Sequence, residues 1–271
     1  MFHNLRNLLK YRGLIQSLVV RDLKARYRGS VLGFFWSVVN PLLLLLIYSF
    51  VFTVILPARF PEEQAQQMQP FALFMFCGIL PWTWFSSSLL ESSNVLISGG
   101  NLIKKVLFPA EVLPIVTVLA NMVHFFLGLP ILLAFLIYYR HPLNAADLVW
   151  LPVVIVTQLL LTTGLAFIVS ALTVHFRDLK DLLANIMTLW FFATPIIYPM
   201  QLATGTGGLS KTVLNLNPFT HLAISYQELL FYDGPFGHWK WLLALLVASV
   251  GIFLAGYALF DRLRDSLAEG V

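Results

Sequence analysis

Long apolar stretches alternate with short polar segments along almost the whole chain. Each apolar stretch is about as long as the 17 to 25 residues that a transmembrane helix needs. The pattern predicts six spans, at residues 34–56, 71–90, 112–138, 148–174, 182–199 and 239–260. An even number of spans places both termini on one side of the membrane. The expected fold class is therefore an all-α integral membrane protein with six transmembrane helices and a short tail at 261–271.

The segment before the first span is amphipathic. Its apolar residues recur at steps of three and four, as on one face of a helix: Tyr11, Leu14, Ile15, Leu18, Val19, Leu23 and Tyr27. Arg21, Lys24 and Arg28 form a neighbouring basic stripe at the same spacing. This pattern predicts that residues 1–33 form an interface arm whose basic side faces anionic lipid headgroups. A plain juxtamembrane anchor would give the same pattern.

Two connections between spans are unusual. Residues 209–234 are too apolar for a solvated loop, and Asn217-Pro218 divides them into pieces too short to span. A re-entrant helical hairpin is the favoured interpretation, with a surface-lying segment as the alternative. Residues 101–108 are predicted to form a short helix that Asn101 can cap and Pro109 ends. This helix is amphipathic, and it suits either a lever for a cytoplasmic partner or a segment that lies on lipid.

Composition and charge agree with a polytopic membrane protein. Of the 271 residues, 59% are hydrophobic and 11% are charged, and the mean hydropathy is +0.81. Most of the 17 Lys and Arg residues lie on the side of the termini, so the positive-inside rule predicts cytoplasmic termini. The net charge of +4 is thus an orientation signal. The lone cysteine, Cys77, lies within an apolar span, where it is expected to be a small buried hydrophobe.

The sequence contains no motif for nucleotide binding or for hydrolysis. It has no GxxxxGK followed by Ser or Thr, no HExxH, no GxSxG and no acidic pair within a span. A membrane-embedded enzyme is therefore disfavoured, and energy for any transport must come from another protein. His124, beside Asn121 in a span, is expected to form a hydrogen bond to a neighbouring helix rather than to bind a metal.

Several motifs, taken in order, resemble one family. They are RDLKARYRGSVLGFFW leading to Pro41, Gly78-Ile79-Leu80-Pro81-Trp82 with Phe85, Asn101-Leu102-Ile103-Lys104-Lys105-Val106 with Phe108-Pro109, Phe176-Arg177-Asp178, Thr194-Pro195 and Asn217-Pro218. The chain resembles the membrane subunits of ABC-2-type exporters that move O-antigen, teichoic acid and capsule-like polysaccharides.

That resemblance implies a homodimeric permease in the bacterial inner membrane, paired with a separate ATP-binding subunit. ATP and Mg would bind to the partner, and this chain would hold no cofactor. The cargo would be an undecaprenyl-pyrophosphate-linked polysaccharide. An ABC-2 exporter of small lipophilic compounds or drugs would share the fold and is the alternative.

The resemblance also implies roles for individual residues. A coupling helix that docks on the ATPase would contain Leu102, Ile103, Lys104, Lys105, Val106 and Phe108. The lipid pyrophosphate would arrive at Arg21, Lys24, Arg26, Tyr27 and Arg28, although these residues also suit plain headgroup anchoring. Flat rings suit sugars, so the glycan path would include Phe34, Trp36, Trp82, Trp84, Phe85, Trp190 and Tyr198, with lipid-facing packing as the alternative. No catalytic or metal-binding residue is expected.

Overall fold

The computed structural model of the protein describes residues 10–55, 70–100, 108–141, 144, 146–200 and 208–270. Within these ranges the regular secondary structure is helical and no strand is present, which confirms the all-α prediction. The main helices are α1 Arg12–Arg26, α2 Trp36–Phe50, α3 Phe71–Ser98, α4 Val112–Tyr138, α5 Leu151–His175, α6 Leu179–Phe192, α7 Gly208–Leu216, α8 Pro218–Leu230 and α9 Trp239–Gly270. Short 3-10 turns at Gly33–Phe35 and Asp147–Trp150 precede α2 and α5, and a π-helical turn at Val51–Ile55 follows α2.

Four of the described helices are long and apolar enough to cross a membrane. They are Phe71–Ser98, Val112–Tyr138, Asp147–His175 and Trp239–Arg264. The protein is therefore a multi-pass membrane protein. The other two predicted spans form shorter helices, 15 residues in α2 and 14 residues in α6.

Proline explains why α6 is short. The sequence predicted a span over residues 182–199, but the helix ends at Phe192. Pro195 has no amide hydrogen to donate, and it disfavours helical geometry at Thr194. Pro41, Pro81 and Pro130, in contrast, lie inside helices, as the sequence predicted.

The bundle is built around α3. This helix packs chiefly on α4, α5 and α8, while α9 packs along α5. The contact between α5 and α9 requires glycine, because a Cβ added at Gly164 would lie 2.7 Å from the Cα and N atoms of Phe253. Close approach of two backbones through small residues is a common way to pack helices inside membranes.

The two ends of the bundle are distinct. At one end, called here the arm end, α3 and α5 terminate and α4 begins, and the arm helix α1 packs against the start of α4. At the other end, called here the far end, α3 and α9 begin and the short helices α7 and α8 lie between α6 and α9. The predicted hairpin region at 209–234 thus contains two helices joined at Asn217.

Candidate functional site

The apolar side of the arm helix α1 lies against protein. Leu18 is 7% exposed and packs with Val112 and Val116 at the start of α4. The sequence predicted a helix on the membrane surface, and the helix is present, but its apolar residues contact α4. The arm is therefore joined to the bundle.

Arg26, at the last turn of α1, is bound by two carboxylates. Its guanidinium donates to both carboxylate oxygens of Glu91 on α3, with Nη1 2.8 Å from Oε1, and Nε donates to Asp22 Oδ2 at 2.8 Å. Nη1 also lies 3.2 Å from Asn121 Oδ1 on α4, whose Nδ2 donates to Glu91 Oε2 at 2.8 Å. We call Arg26, Asp22, Glu91 and Asn121 the Arg26 network. It connects the arm to two long helices.

The electrostatics of the network favour a charged Arg26. Partial burial of the guanidinium acts against its charge, yet the hydrogen bonds and charges of Glu91 and Asp22 outweigh that effect and raise the pKa of Arg26 above its ordinary value. A paired, bidentate Arg–carboxylate contact is among the stronger polar contacts in proteins. Two carboxylates against one guanidinium leave a net charge of −1, so Arg26 is not an open anion site in this conformation.

The cations of the basic stripe are accessible. Arg21, Lys24 and Arg28 are exposed, and no hydrogen bond or ion pair joins their side chains to the residues that the structure describes. The chain then turns at Gly29 and Gly33, whose φ angles of +82° and +51° favour glycine. Open space surrounds both glycines, so the backbone here is accessible from outside.

A cavity of about 270 Å³ lies next to the Arg26 network. Helices α1, α2, α3 and α4 all contribute to its wall, with Tyr27, Ser37 and His124 near its polar end. The Ser37 hydroxyl donates to the Tyr27 hydroxyl at 2.7 Å, and the Tyr27 oxygen lies 3.5 Å from Nδ1 of His124. His124 thus faces a neighbouring helix, as the sequence predicted, at the limit of hydrogen-bond distance.

Three of the predicted glycan-path residues are buried inside the chain itself. Trp82, Trp84 and Phe85 are 7%, 2% and 0% exposed. The ring centroids of Trp82 and Phe85 lie 4.9 Å and 4.8 Å from that of Phe219 on α8. Trp84 donates its Nε1 hydrogen to the carbonyl of Val118 at 3.1 Å. In this conformation the three rings pack helices together, and Trp84 also forms part of the wall of the cavity beside the Arg26 network.

The remaining aromatic candidates are more accessible. Trp36, Trp190 and Tyr198 are half-buried, and the side chain of Phe34 lies outside the described residues. Tyr198 donates to the carbonyl of Phe192 at 3.0 Å.

Asn217 joins three elements at the far end. Its Oδ1 accepts from the backbone of Phe219 at 3.0 Å, which caps α8, and from Trp190 Nε1 at 2.7 Å. Its Nδ2 donates to Thr194 Oγ1 at 2.9 Å and to the carbonyl of Ala193. The sequence marked Asn217-Pro218 as a break, but the cap of α8 and the links to α6 required the structure.

The proposed coupling segment lies mostly outside the described residues. Of its six predicted contact residues only Phe108 is described, and it packs both against the cluster around Leu18 and against the cluster that contains Phe260 of α9. Nearby, Glu111 is 4% exposed and forms an ion pair of 3.5 Å with Arg264 near the end of α9. The end of this segment is thus connected to both the arm and the last long helix.

A polar patch at the far end was not found from the sequence. His221 on α8 accepts or donates at Nδ1 to His238 Nε2 at 3.0 Å, and its Nε2 lies 2.9 Å from the carbonyl of Asn215. Glu228 accepts from the backbone amides of Gly237 and His238. Burial lowers the pKa of His238 to about 4, aided by His221, while burial raises the pKa of Glu228. Residues 17 apart carry no periodic signal, which is why sequence reasoning missed the pair.

Comparison with known proteins adds a family and relatives. The family model described as "ABC-2 type transporter" matches residues 13–231. The chain is 40% identical over 272 residues to an "O-antigen export system permease protein RfbA" of Myxococcus xanthus, with 100% of both chains covered. Two proteins of the same name from Klebsiella pneumoniae are 30% and 29% identical over 256 residues, with 94% of each chain covered.

Proposed function

Because this chain belongs to the ABC-2 type transporter family, we propose that it is the membrane subunit of an ATP-driven exporter for a lipid-linked polysaccharide of the O-antigen type. The observation that carries the proposal is the 40% identity, over the whole of both chains, to a protein named as an O-antigen export permease. The exporter would operate in the bacterial inner membrane. This subunit is a transport component, and ATP hydrolysis belongs to a separate partner.

The proposed arrangement has six spans, cytoplasmic termini and two copies of the chain. The helical run from Trp36 through the π-helical turn to Ile55 is about 30 Å long at 1.5 Å per residue, which matches a bilayer core. Helix α6, with the broken segment after it, would be the fifth span. Helices α7 and α8 would form the re-entrant hairpin, a role that suits α8 because most of its side chains are buried in protein.

Coupling to the ATP-binding subunit would run through residues 101–108. A helix with Leu102, Ile103 and Val106 on one side would rest in a cleft of the partner, and Lys104 and Lys105 would lie at its edge. Phe108 supports this role, because it packs against both the arm and the last helix and so links a movement of the segment to two parts of the bundle.

The exposed cations of the arm would receive the undecaprenyl pyrophosphate. Arg21, Lys24 and Arg28 are accessible and unpaired within the described part of the chain, and Arg28 adjoins the open glycine turn. Guanidinium groups suit phosphate through paired, charge-assisted hydrogen bonds. Arg26 and Tyr27 would act from the cavity beside the arm.

The sugar chain would meet the accessible aromatic residues. Trp36, Trp190 and Tyr198 are half-buried and provide ring faces for sugars. Trp82, Trp84 and Phe85 would support this path from behind, since they are buried in the same chain. Phe34 would contribute at the start of the first span.

Deletion of the chain in its own cells tests the proposal. The proposal predicts that lipid-linked polysaccharide accumulates on the cytoplasmic face of the inner membrane, where antibody reaches it only after the cells are opened, and that surface polysaccharide is lost. Export of small lipophilic compounds predicts normal surface polysaccharide and increased sensitivity to such compounds. That second result would replace the proposal with drug export.

A further inference from the structure

The cavity beside the Arg26 network is elongated along one face of α3. The α3 residues in its wall follow helical steps of three and four: Phe76, Ile79, Leu80, Thr83, Trp84, Ser87 and Glu91. From Phe76 to Glu91 the helix rises about 22 Å. The side chains change along this face from apolar to hydroxyl-bearing and then to charged at the arm end. A ligand that fits this gradient has an apolar chain and an anionic or polar head.

The size of the cavity limits what it can hold. Its volume is about 270 Å³, just below the range of about 300 to 1,000 Å³ that is typical of small-molecule sites. Leu44 of α2 and Phe125 of α4 narrow the apolar part from the other sides. The space therefore suits a single hydrocarbon chain with its head, and it is too small for a sugar polymer.

The head end contains one group that can bind a phosphate, the guanidinium of Arg26. Arg26 binds Glu91 through two parallel N–H···O contacts, and phosphate accepts the same paired geometry. Asn121 donates to Glu91 at 2.8 Å, so the carboxylate keeps a hydrogen-bond partner when Arg26 turns away from it. The network has a net charge of −1 while Glu91 holds Arg26. A phosphate can therefore bind Arg26 only in exchange for Glu91.

We propose that this cavity binds the prenyl diphosphate end of the lipid carrier, and that Glu91 occupies Arg26 until the diphosphate replaces it. The inference rests on the proposed function for its cargo, and it adds a defined site and an internal competitor. Glu91 is here a positioning residue, because it acts on the ligand only through Arg26. Because Arg26 is the last residue of α1, its release from Glu91 would remove one of the links between the arm and α3 when cargo arrives.

Direct binding tests the site. The whole chain is purified into nanodiscs of neutral phosphatidylcholine, and binding of labelled farnesyl diphosphate is measured by equilibrium dialysis, with farnesol and inorganic diphosphate as competitors. The proposal predicts that farnesyl diphosphate binds and that each competitor displaces it at least about tenfold more weakly than unlabelled farnesyl diphosphate does. If farnesol displaced the label as well as unlabelled farnesyl diphosphate does, Arg26 would not contribute to binding. If inorganic diphosphate did so, the apolar groove would not contribute.

Two pairs of variants test the competitor and the groove. Glu91→Gln leaves Arg26 without one of its charged partners, so the Kd should fall by about tenfold, whereas Arg26→Gln should raise it by about tenfold. Arg12→Gln removes the same charge at the start of α1 and should leave the Kd within about twofold. Ile79→Trp fills the groove and should abolish binding, while Val247→Trp, at a residue 74% exposed on α9, should not.

The outcomes separate this inference from the proposed function. If Ile79→Trp and Glu91→Gln both bind farnesyl diphosphate as the unaltered chain does, the cavity is not the site, even where the chain still supports polysaccharide export in cells. If the unaltered chain did not support polysaccharide export in cells, that result would instead contradict the proposed function. If Glu91→Gln does not elute as a single species, Ile79→Trp and the two competitors still decide for or against the cavity.

Discussion

Helices α3 and α9 are both long apolar spans, yet they meet opposite surroundings. Of the four long spans, α3 has the lowest hydropathy and is the most buried, at 78% of its most apolar window, whereas α9 has the highest hydropathy and is the least buried, at 28%. Lipid-facing helices must be apolar over most of their circumference, while a helix enclosed by protein can hide polar groups. In this chain, the span with the highest hydropathy is the one that faces lipid, and the span with the lowest hydropathy is the one enclosed by protein.

This difference explains where the functional groups lie. Helix α3 carries Glu91 of the Arg26 network, the graded face of the cavity and the buried rings that contact α8. Such a mixture is tolerated because α4, α5 and α8 cover the helix. Helix α9 has no Asp, Glu, Lys or Arg between Trp241 and Phe260. It packs along α5, where Gly164 and Gly256 let the two backbones approach closely.

The largest expected effect tests that glycine contact. Gly256 faces the backbone of Gly164 so closely that a Cβ would overlap it, so Gly256→Leu should lower the free energy of unfolding by about 5 kcal/mol or more. Gly251→Leu is the matched control on the same helix, since nothing lies within 4 Å of its Cβ position. Unfolding in mixed detergent micelles measures both, and equal effects would mean that α9 is not seated through Gly256.

A second pair of variants compares the two helices directly. Phe85→Ala removes a ring that is 0% exposed on α3 and should cost about 3 to 5 kcal/mol of unfolding free energy. Val247→Ala removes a side chain that is 74% exposed on α9 and should cost less than about 0.5 kcal/mol. The same micelle titration applies. Similar losses at both positions would contradict the distinction between a protein-enclosed and a lipid-facing helix.

A third variant tests how α8 is fixed beside the end of α6. Asn217→Ala removes the cap of α8 and the links to Trp190 and Thr194, and should cost about 1 to 3 kcal/mol. Asn217→Asp keeps the accepting oxygen but loses the donor, so its loss should be smaller. A loss for Asn217→Asp as large as that for Asn217→Ala would assign the effect to the donor side alone.

The smallest effect concerns His238, which lies just before α9 at the far end of the bundle. The pKa of His238 lies at about 4 in the folded chain, below its ordinary 6.5, so the unfolded chain takes up the proton first. The contribution of neutral His238 to the free energy of unfolding is therefore complete above pH 6.5. This contribution, about 1 kcal/mol after allowing for solvent screening, is lost as the pH falls towards 4. His238→Gln should lose less stability over this pH window. Glu228 titrates in the opposite direction and remains in both proteins, so it cancels in the difference. Identical pH profiles would exclude His238 as the cause.

Much of the fold was predictable from sequence. The span at 112–138 coincides with α4, and Cys77 is 0% exposed, as its apolar neighbours indicated. Asp178 lies at the N-cap position of α6, but its side chain makes no hydrogen bond to the start of the described helix. Apolar periodicity and long apolar runs locate helices well, because the positions of the apolar residues along the chain specify which side of a helix is apolar.

The pairing of side chains between distant residues was not predictable. Arg26 and Glu91 are 65 residues apart, and nothing in the spacing of the basic stripe distinguishes Arg26 from its exposed neighbours. The aromatic candidates were similarly indistinguishable by composition, and only packing separates the buried Trp82 from the half-buried Trp190. Tertiary contacts decide which of several equivalent residues remains available to a ligand.

Reconstitution of the chain with its ATP-binding partner tests the central proposal most directly. Vesicles would contain both proteins and a lipid-linked polysaccharide, and the fraction of sugar that has crossed the membrane would be measured with an impermeant sugar-oxidising reagent. The proposal predicts that sugar crosses only when ATP and both proteins are present. Transfer by this chain alone, without the partner or ATP, would contradict it.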